Sequence, residues 1–316
     1  MSFYTRKKQK VTIESKKSRI FAENFSRMRF RLCLILVALI LTSAVNAQRK
    51  RAFLVGISCY DTALTGYQWN NINGVEDVKL LSPALKKQGF TITTLLDDQA
   101  TFDNIISQIV QFTNKTKKAD IVYVHFSTHG QPVEDINGDE SDGWDESIVP
   151  IDAYKLYKKG VYEGKKHLTD DILNKHIRRL REKIGPKGFL FVVIDACHAG
   201  TSSRAYDDTV RGTHVGFTFN NKVFKPSTNK KSHYSVETSP KLSNVIYIEA
   251  CRPDQVNTEI KVEGKRYGPL SFNIAKTLSS YTLTTNAKEF VDNVKRTLIE
   301  TGRWPNNQNL VTEASY

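Results

Sequence analysis

The apolar positions of this chain fall in short runs separated by longer amphipathic stretches. Residues 189–194 (FLFVVI), headed by Gly188, are β-branched and aromatic without a polar break. The run is too short for a helix and is fenced by Pro186-Lys187-Gly188 and Gly200, so it reads as a strand buried on both faces. Residues 51–58, 91–96, 120–126 and 244–250 read the same way. Helical spacing predicts helices over 75–88, despite Pro83, and over 101–113, with Ile105, Ile109 and Phe112 on one face. A helix is predicted over 168–184, with Thr169 as N-cap and two acids in its first turn, and two more over 271–280 and 285–302, the last capped by Thr285 or Asn286. Strands separated by helices predict one α/β domain with a central, mostly parallel sheet and helices on both faces, three layers in all. The stretch after residue 126 reads as a long polar loop. Residues 202–242 are polar, lysine-rich and aperiodic, longer than a compact domain usually tolerates, so the segment 201–243 is expected to be a mobile loop open to processing.

The beginning of the chain follows another pattern. Arg27, Arg29 and Arg31 precede an apolar core over 32–41 and then Thr42-Ser43-Ala44-Val45-Asn46-Ala47. These are the basic, apolar and small-residue regions of a secretory signal, with cleavage expected after Ala47. The apolar core is shorter than the roughly 20 residues of a membrane span. The expected organisation is a leader over 1–47, starting at Met1 or Met28, and a single domain over 48–316, periplasmic or secreted, with no membrane span once the leader is gone. Removing the leader also changes the charge: the formal +13 becomes about +5, from 36 basic and 31 acidic residues. A surplus that mild supports no nucleic-acid partner. Cys59, Cys197 and Cys251 remain, an odd number that leaves at least one free thiol, with a Cys59–Cys251 disulfide an open alternative.

Chemistry gathers at two strand ends. The strand over 189–194 runs into Asp195, Cys197 and His198, and the strand over 120–126 into Ser127-Thr128-His129-Gly130. In an open α/β sheet the carboxyl ends of strands are where ligands sit. An imidazole within hydrogen-bond reach of a thiol lowers its pKa and later protonates the leaving amine. Adjacent strands would bring Cys197 and His129 together; a buried structural cysteine and a satisfied histidine are the plain alternative. His125 and His198 read as structural, and a zinc set from these residues lacks a ligand pair at helical or knuckle spacing. Asp195, two residues before Cys197, shares its face of the strand. With Asp77 arriving after the first strand, it would line an acidic pocket suited to Lys or, through a bidentate contact, Arg.

These motifs resemble the metacaspase branch of the caspase-like cysteine peptidases. Ser127-Thr128-His129-Gly130 is similar to that family's histidine motif, with threonine in place of glycine. Asp195-Ala196-Cys197-His198-Ala199-Gly200 is similar to its nucleophile motif, with alanine at two small-residue positions. The stretches from Asp142 to Asp152, Thr169-Asp170-Asp171, and 249–255 (EACRPDQ) fit as well, so the resemblance spans roughly 51–278. It implies a caspase-type fold and peptide-bond hydrolysis through an acyl-enzyme. His129 would be the base, and the backbone N–H groups of Gly130 and Cys197 the oxyanion hole. Asp77, Ser127 and Asp195 would line the pocket for a basic substrate residue.

The acidic loop 135–145 (DINGDESDGWD) offers hard oxygen ligands without EF-hand spacing. The resemblance implies calcium on Asp145, Asp170 and Asp171. The family's fourth ligand falls where Arg204 stands, with Asp207 or Asp208 as substitutes. An acidic pocket beside a basic loop also predicts self-cleavage at one of Arg204, Arg211, Lys222, Lys225, Lys230, Lys231 or Lys241. The sequence therefore leads to a cysteine endopeptidase acting on proteins or peptides after Arg or Lys, autoprocessed and calcium-stimulated. A catalytically silent, protein-binding caspase-like domain is the rival, and a relative cutting after Asp the third reading.

Overall fold

The computed structural model describes residues 27–31, 48–60, 69–140, 142–197, 209–213, 215–225 and 236–315. The chain divides into two compact units, Met1–Gln48 and Arg49–Tyr316. In the first, residues 27–31 are helical. No helix among the described residues is long and apolar enough to cross a membrane.

The second unit is built on the apolar runs. β1 (Lys50–Gly56), β2 (Phe90–Leu96), β3 (Ile121–Ser127), β7 (Phe189–Asp195) and β8 (Asn244–Glu249) form a parallel sheet in the order β8-β7-β3-β1-β2, and β11 (Val311–Ala314) adds an antiparallel edge beside β8. Alternate residues of each strand serve opposite layers. Val122, Val124, Phe126, Leu190, Val192 and Ile194 pack with α2 (Phe102–Lys115) and α3 (Asp170–Ile184). Tyr123, Phe189, Phe191, Val193, Ile246 and Ile248 pack with α1 (Gly74–Lys87), α4 (Pro269–Ser280) and α5 (Ala287–Thr301). A strand covered on both faces is apolar at nearly every position, as β7 is before Asp195, whereas the edge strand β2 carries Thr91, Thr93 and Thr94.

Thr101 and Asn286 cap α2 and α5 through their side chains, whereas Thr169 makes no side-chain cap bond on α3. The stretch expected as a polar loop after β3 instead carries a second, antiparallel sheet of β4 (His129–Glu134), β5 (Trp144–Val149) and β6 (Leu168–Thr169). A further hairpin pairs β9 (Ile260–Val262) with β10 (Lys265–Tyr267). Cys59, Cys197 and Cys251 are all free thiols, so the Cys59–Cys251 disulfide does not form.

Candidate active site

The parallel register decides what meets at the sheet's carboxyl edge. β3 lies beside β7 with Ser127 opposite Asp195, and beside β1 with Gly56 opposite Ser127. Two residues past that line, each chain turns out of the sheet at His129 and at Cys197, both buried. Ser127, Asp195 and Asp77, from the first turn of α1, are fully buried.

What they surround is the chain's own Arg211, also fully buried. Its Nη2 lies 2.7 Å from Asp77 Oδ2, and its Nη1 donates to Ser127 Oγ at 2.6 Å and to the Asp195 carbonyl at 3.3 Å. The Asp195 carboxylate stands 3.9 Å from Nη1, held by Asn257 Nδ2 at 2.7 Å and by the Ser271 N–H and hydroxyl at 2.7 and 2.6 Å. A third carboxylate, absent from the sequence expectation, completes the pocket: Glu259 Oε1 accepts from Arg211 Nε at 3.1 Å and from Nη2 at 2.8 Å. The guanidinium stays charged, its three carboxylates outweighing burial. Burial pushes Asp77 up to about 7 against the pull of Arg211.

The backbone around Arg211 is held as firmly. Its carbonyl oxygen accepts from both Cys197 N at 2.9 Å and Gly130 N at 3.2 Å, the two amides expected to form an oxyanion hole. Arg211 N donates to Asn257 O at 3.0 Å, and Glu259 N to Thr209 O at 2.9 Å. Beyond Arg211, Gly212 bridges Gly130 and Phe217 bridges Val133, both in parallel. Gly212 must be glycine here, since a Cβ would fall 2.1 Å from the Cys197 carbonyl oxygen and 3.0 Å from Cys197 Cβ. Of the segment 201–243, residues 209–217, apart from 214, thus run across the site as a bound peptide would. Arg204, Asp207, Asp208, His198, Lys230 and Lys231 lie outside the described residues.

His129 of the expected thiol–imidazole pair makes no hydrogen bond to Cys197. Cys197 Sγ donates to Gln255 O at 2.8 Å. His129 Nε2 lies 2.7 Å from Asn70 O, and its Nδ1 is buried with no hydrogen-bond partner. Because a carbonyl only accepts, Asn70 fixes the proton on Nε2 and leaves the lone pair on Nδ1. The ring is stacked on Trp69 and edge-on to Tyr60, both at 4.8 Å, and Tyr60 Oη accepts from His129 N while donating to Val149 O. Burial lowers the His129 pKa to about 3, so the imidazole is neutral at working pH. Cys251 contacts Cys197, and that contact, with burial, raises its thiol pKa. His125 is structural, bonded to Tyr123 and Ser271.

Asp145 of β5 and Asp170 at the start of α3 each keep a buried Oδ1 without a hydrogen-bond partner. Burial first, then the neighbouring carboxylates, push Asp145 up to about 7 and Asp170 to about 9. Asp171 is raised less and accepts from Asn137 Nδ2 at 2.7 Å. Carboxylate oxygens of Asp135, Asp139 and Asp145 lie within 4.8 Å of one another. Of these three, Asp145 is buried and Asp139 exposed; a partnerless Asp145 oxygen beside two further carboxylates suits a hard divalent cation, which would supply the missing positive charge.

A family model described as a caspase domain matches residues 49–311. Metacaspase-1 of Meyerozyma guilliermondii is 24% identical, the match covering 73% of this chain and 62% of that one. Metacaspase-1B of Neosartorya fischeri is 27% identical, covering 74% and 62%. The chain thus spans less than two thirds of the length of these curated relatives. Among solved structures, protein GSU0716 from Geobacter sulfurreducens shares the fold at a TM-score of 0.55 and 19% identity, over 84% of this chain and 93% of that one.

Proposed function

The chain belongs to the caspase-domain family, and from that premise we propose that it is a cysteine endopeptidase cutting proteins and peptides after arginine and, less well, lysine. Its first substrate is its own Arg211–Gly212 bond. The observation that carries this reading is Arg211 itself: the side chain fills an acidic pocket while its carbonyl oxygen takes the two amides beside Cys197 and His129.

In the proposed reaction the Cys197 thiol swings from Gln255 O to the Arg211 carbonyl carbon and gives its proton to the neutral Nδ1 of His129. The amides of Cys197 and Gly130, already aimed at the carbonyl oxygen, hold the negative charge that develops there. His129 passes the proton to the Gly212 nitrogen as the C–N bond breaks, leaving a thioester that water then hydrolyses. Asp145, Asp170 and Asp171 would hold calcium, whose charge would neutralise these carboxylates and join β5 to α3. The basic, apolar and small-residue pattern over 27–47 supports export to the periplasm or beyond.

The test is incubation of the full chain with calcium, followed by N-terminal sequencing and an Arg-amide fluorogenic substrate. We expect a new N-terminus at Gly212, release of the fluorophore, and neither in Cys197→Ala. A wild type that stays one band and turns over no substrate, with or without calcium, would instead mark a silent binding domain.

A further inference from the structure

Each side of the Arg211–Gly212 bond is anchored without help from the other. Upstream, Arg211 is held by its guanidinium and by backbone bonds to Asn257 and Glu259. Downstream, Phe217 is fully buried, its ring packed against Tyr157, Tyr162, His167 and Phe219. Its N–H donates to Pro132 O and its carbonyl accepts from Glu134 N, both at 2.8 Å. Gln131 Nε2 donates to Val215 O at 2.8 Å. The Glu134 carboxylate accepts from Thr218 Oγ1 at 2.8 Å, Phe219 N at 3.0 Å and Asn220 Nδ2 at 2.7 Å. None of the downstream contacts runs through the bond that is cut. The new Gly212 amine would therefore stay beside Cys197, five positions from the Phe217 anchor.

We propose that this retained amine is an acyl acceptor: the processed protein is also a transpeptidase that moves peptidyl-arginyl groups from the Cys197 thioester onto its own Gly212. The proposal rests on the reading above that Cys197 cuts after arginine. A donor peptide enters once Arg211 has left the pocket. Cys197 Sγ attacks the donor's arginyl carbonyl, the C–N bond to its leaving amine breaks, and that amine departs with the proton held by His129. The Gly212 nitrogen then attacks the thioester carbonyl and yields a proton to His129. The C–S bond breaks, and the thiol recovers that proton as the new C–N bond forms. The thioester supplies the driving force, so no oxidant or further co-reactant is needed.

Water competes at this step. A tethered amine, however, acts at an effective concentration in the millimolar range or above, and in a set orientation. Glycine is suited to the task, since any Cβ at 212 would collide with the Cys197 backbone.

The test uses the self-processed full chain with an acetylated peptidyl-Arg methylcoumarinamide at pH 8, where an α-amine is about half uncharged. Coumarin release is read alongside the mass of the fragment that begins at Gly212. We expect part of that fragment to gain the acetyl-peptidyl-arginyl mass, located on Gly212 by fragmentation. In Glu134→Ala, which loosens the downstream anchor, the adduct should fall several-fold relative to coumarin release. Coumarin release with the fragment at its unmodified mass, or with the label on lysine, overturns the transpeptidase and leaves the peptidase standing. No coumarin release at all removes the peptidase reading, and this one with it.

Discussion

At the residue scale, the pocket proposed for arginine would tell it from lysine by one atom. Glu259 Oε1 bonds Arg211 Nε as well as Nη2, and a lysine offers a single ammonium with no fork to meet that carboxylate together with Asp77 and Ser127. A hydrogen bond to a charged group contributes about 1.5–3 kcal/mol. Glu259→Gln should accordingly lower the ratio of kcat/KM for Arg over Lys substrates about tenfold or more. An unchanged ratio in a variant that still cleaves would assign Glu259 to holding Asn73, whose N–H and amide it also bonds at 2.7 and 2.5 Å. Asp195 was legible by strand alternation from Cys197, with Asp77 arriving after the first strand, whereas Ser127 came only from the family resemblance. Glu259 was not legible: it sits in an irregular stretch 48 positions from Arg211, where no periodicity tells which way a side chain points. Arg211 itself stood unmarked among seven basic candidates, since only the fold distinguishes the one whose carbonyl reaches two amides.

At the scale of elements, the parallel sheet could be read because both its faces are covered and its central strands are mostly apolar. The sheet of β4, β5 and β6 escaped because its strands are mixed. HGQPVE and WDESIV bury the polar Gln131, Glu134, Asp145, Glu146 and Ser147, with Gln131, Glu134 and Ser147 held by side-chain hydrogen bonds rather than by apolarity, so they read as loop. That polar sheet carries His129 and Gly130 and bridges Gly212 and Phe217, and His167 is its clamp. Its ring nitrogens meet Tyr162 Oη at 3.0 Å and Gln131 Oε1 at 2.9 Å, and its ring lies 4.6 Å from that of Phe217. Burial lowers the His167 pKa to about 3. The folded pKa is depressed below the unfolded value near 6.5, so the unfolded chain takes up this proton first and the stabilisation is lost as pH falls. Between pH 7.5 and 5 the loss from this one group is about 2 kcal/mol. Urea unfolding of wild type and His167→Gln at both pH values should show their stability difference changing by about that amount, to the variant's relative advantage at pH 5. Parallel pH dependence in the two proteins would mean that His167 does not titrate through burial.

For the whole molecule, the acidic cluster ties the two sheets' supports together. Asp145 belongs to β5, which pairs with the strand bearing His129, whereas Asp170 and Asp171 open α3, which packs on the main sheet. Burial, and after it the repulsion of neighbouring carboxylates, is why Asp145 and Asp170 resist ionising without a cation. A cation binding only the folded state stabilises it by about 2.7 kcal/mol at a hundredfold excess over its Kd. For a domain of this size that is roughly 5–10 °C in Tm. Calcium should therefore raise Tm by several degrees, and the carboxylates predict an asymmetry in the variants. Asp170→Asn puts a neutral side chain where the buried carboxyl already resists ionising and removes a ligand, so its calcium-free Tm should stay close to that of the wild type while its calcium response vanishes. A merely solvated acidic surface would give neither effect, and a calcium shift that survived Asp170→Asn would place the ion elsewhere. If the shift disappears in Asp170→Asn and Asp145→Asn alike, and self-cleavage at Arg211 slows with it, then the cation acts by stiffening the sheet that holds His129. It would set the geometry of the proton transfer from a distance without touching the bond that is cut.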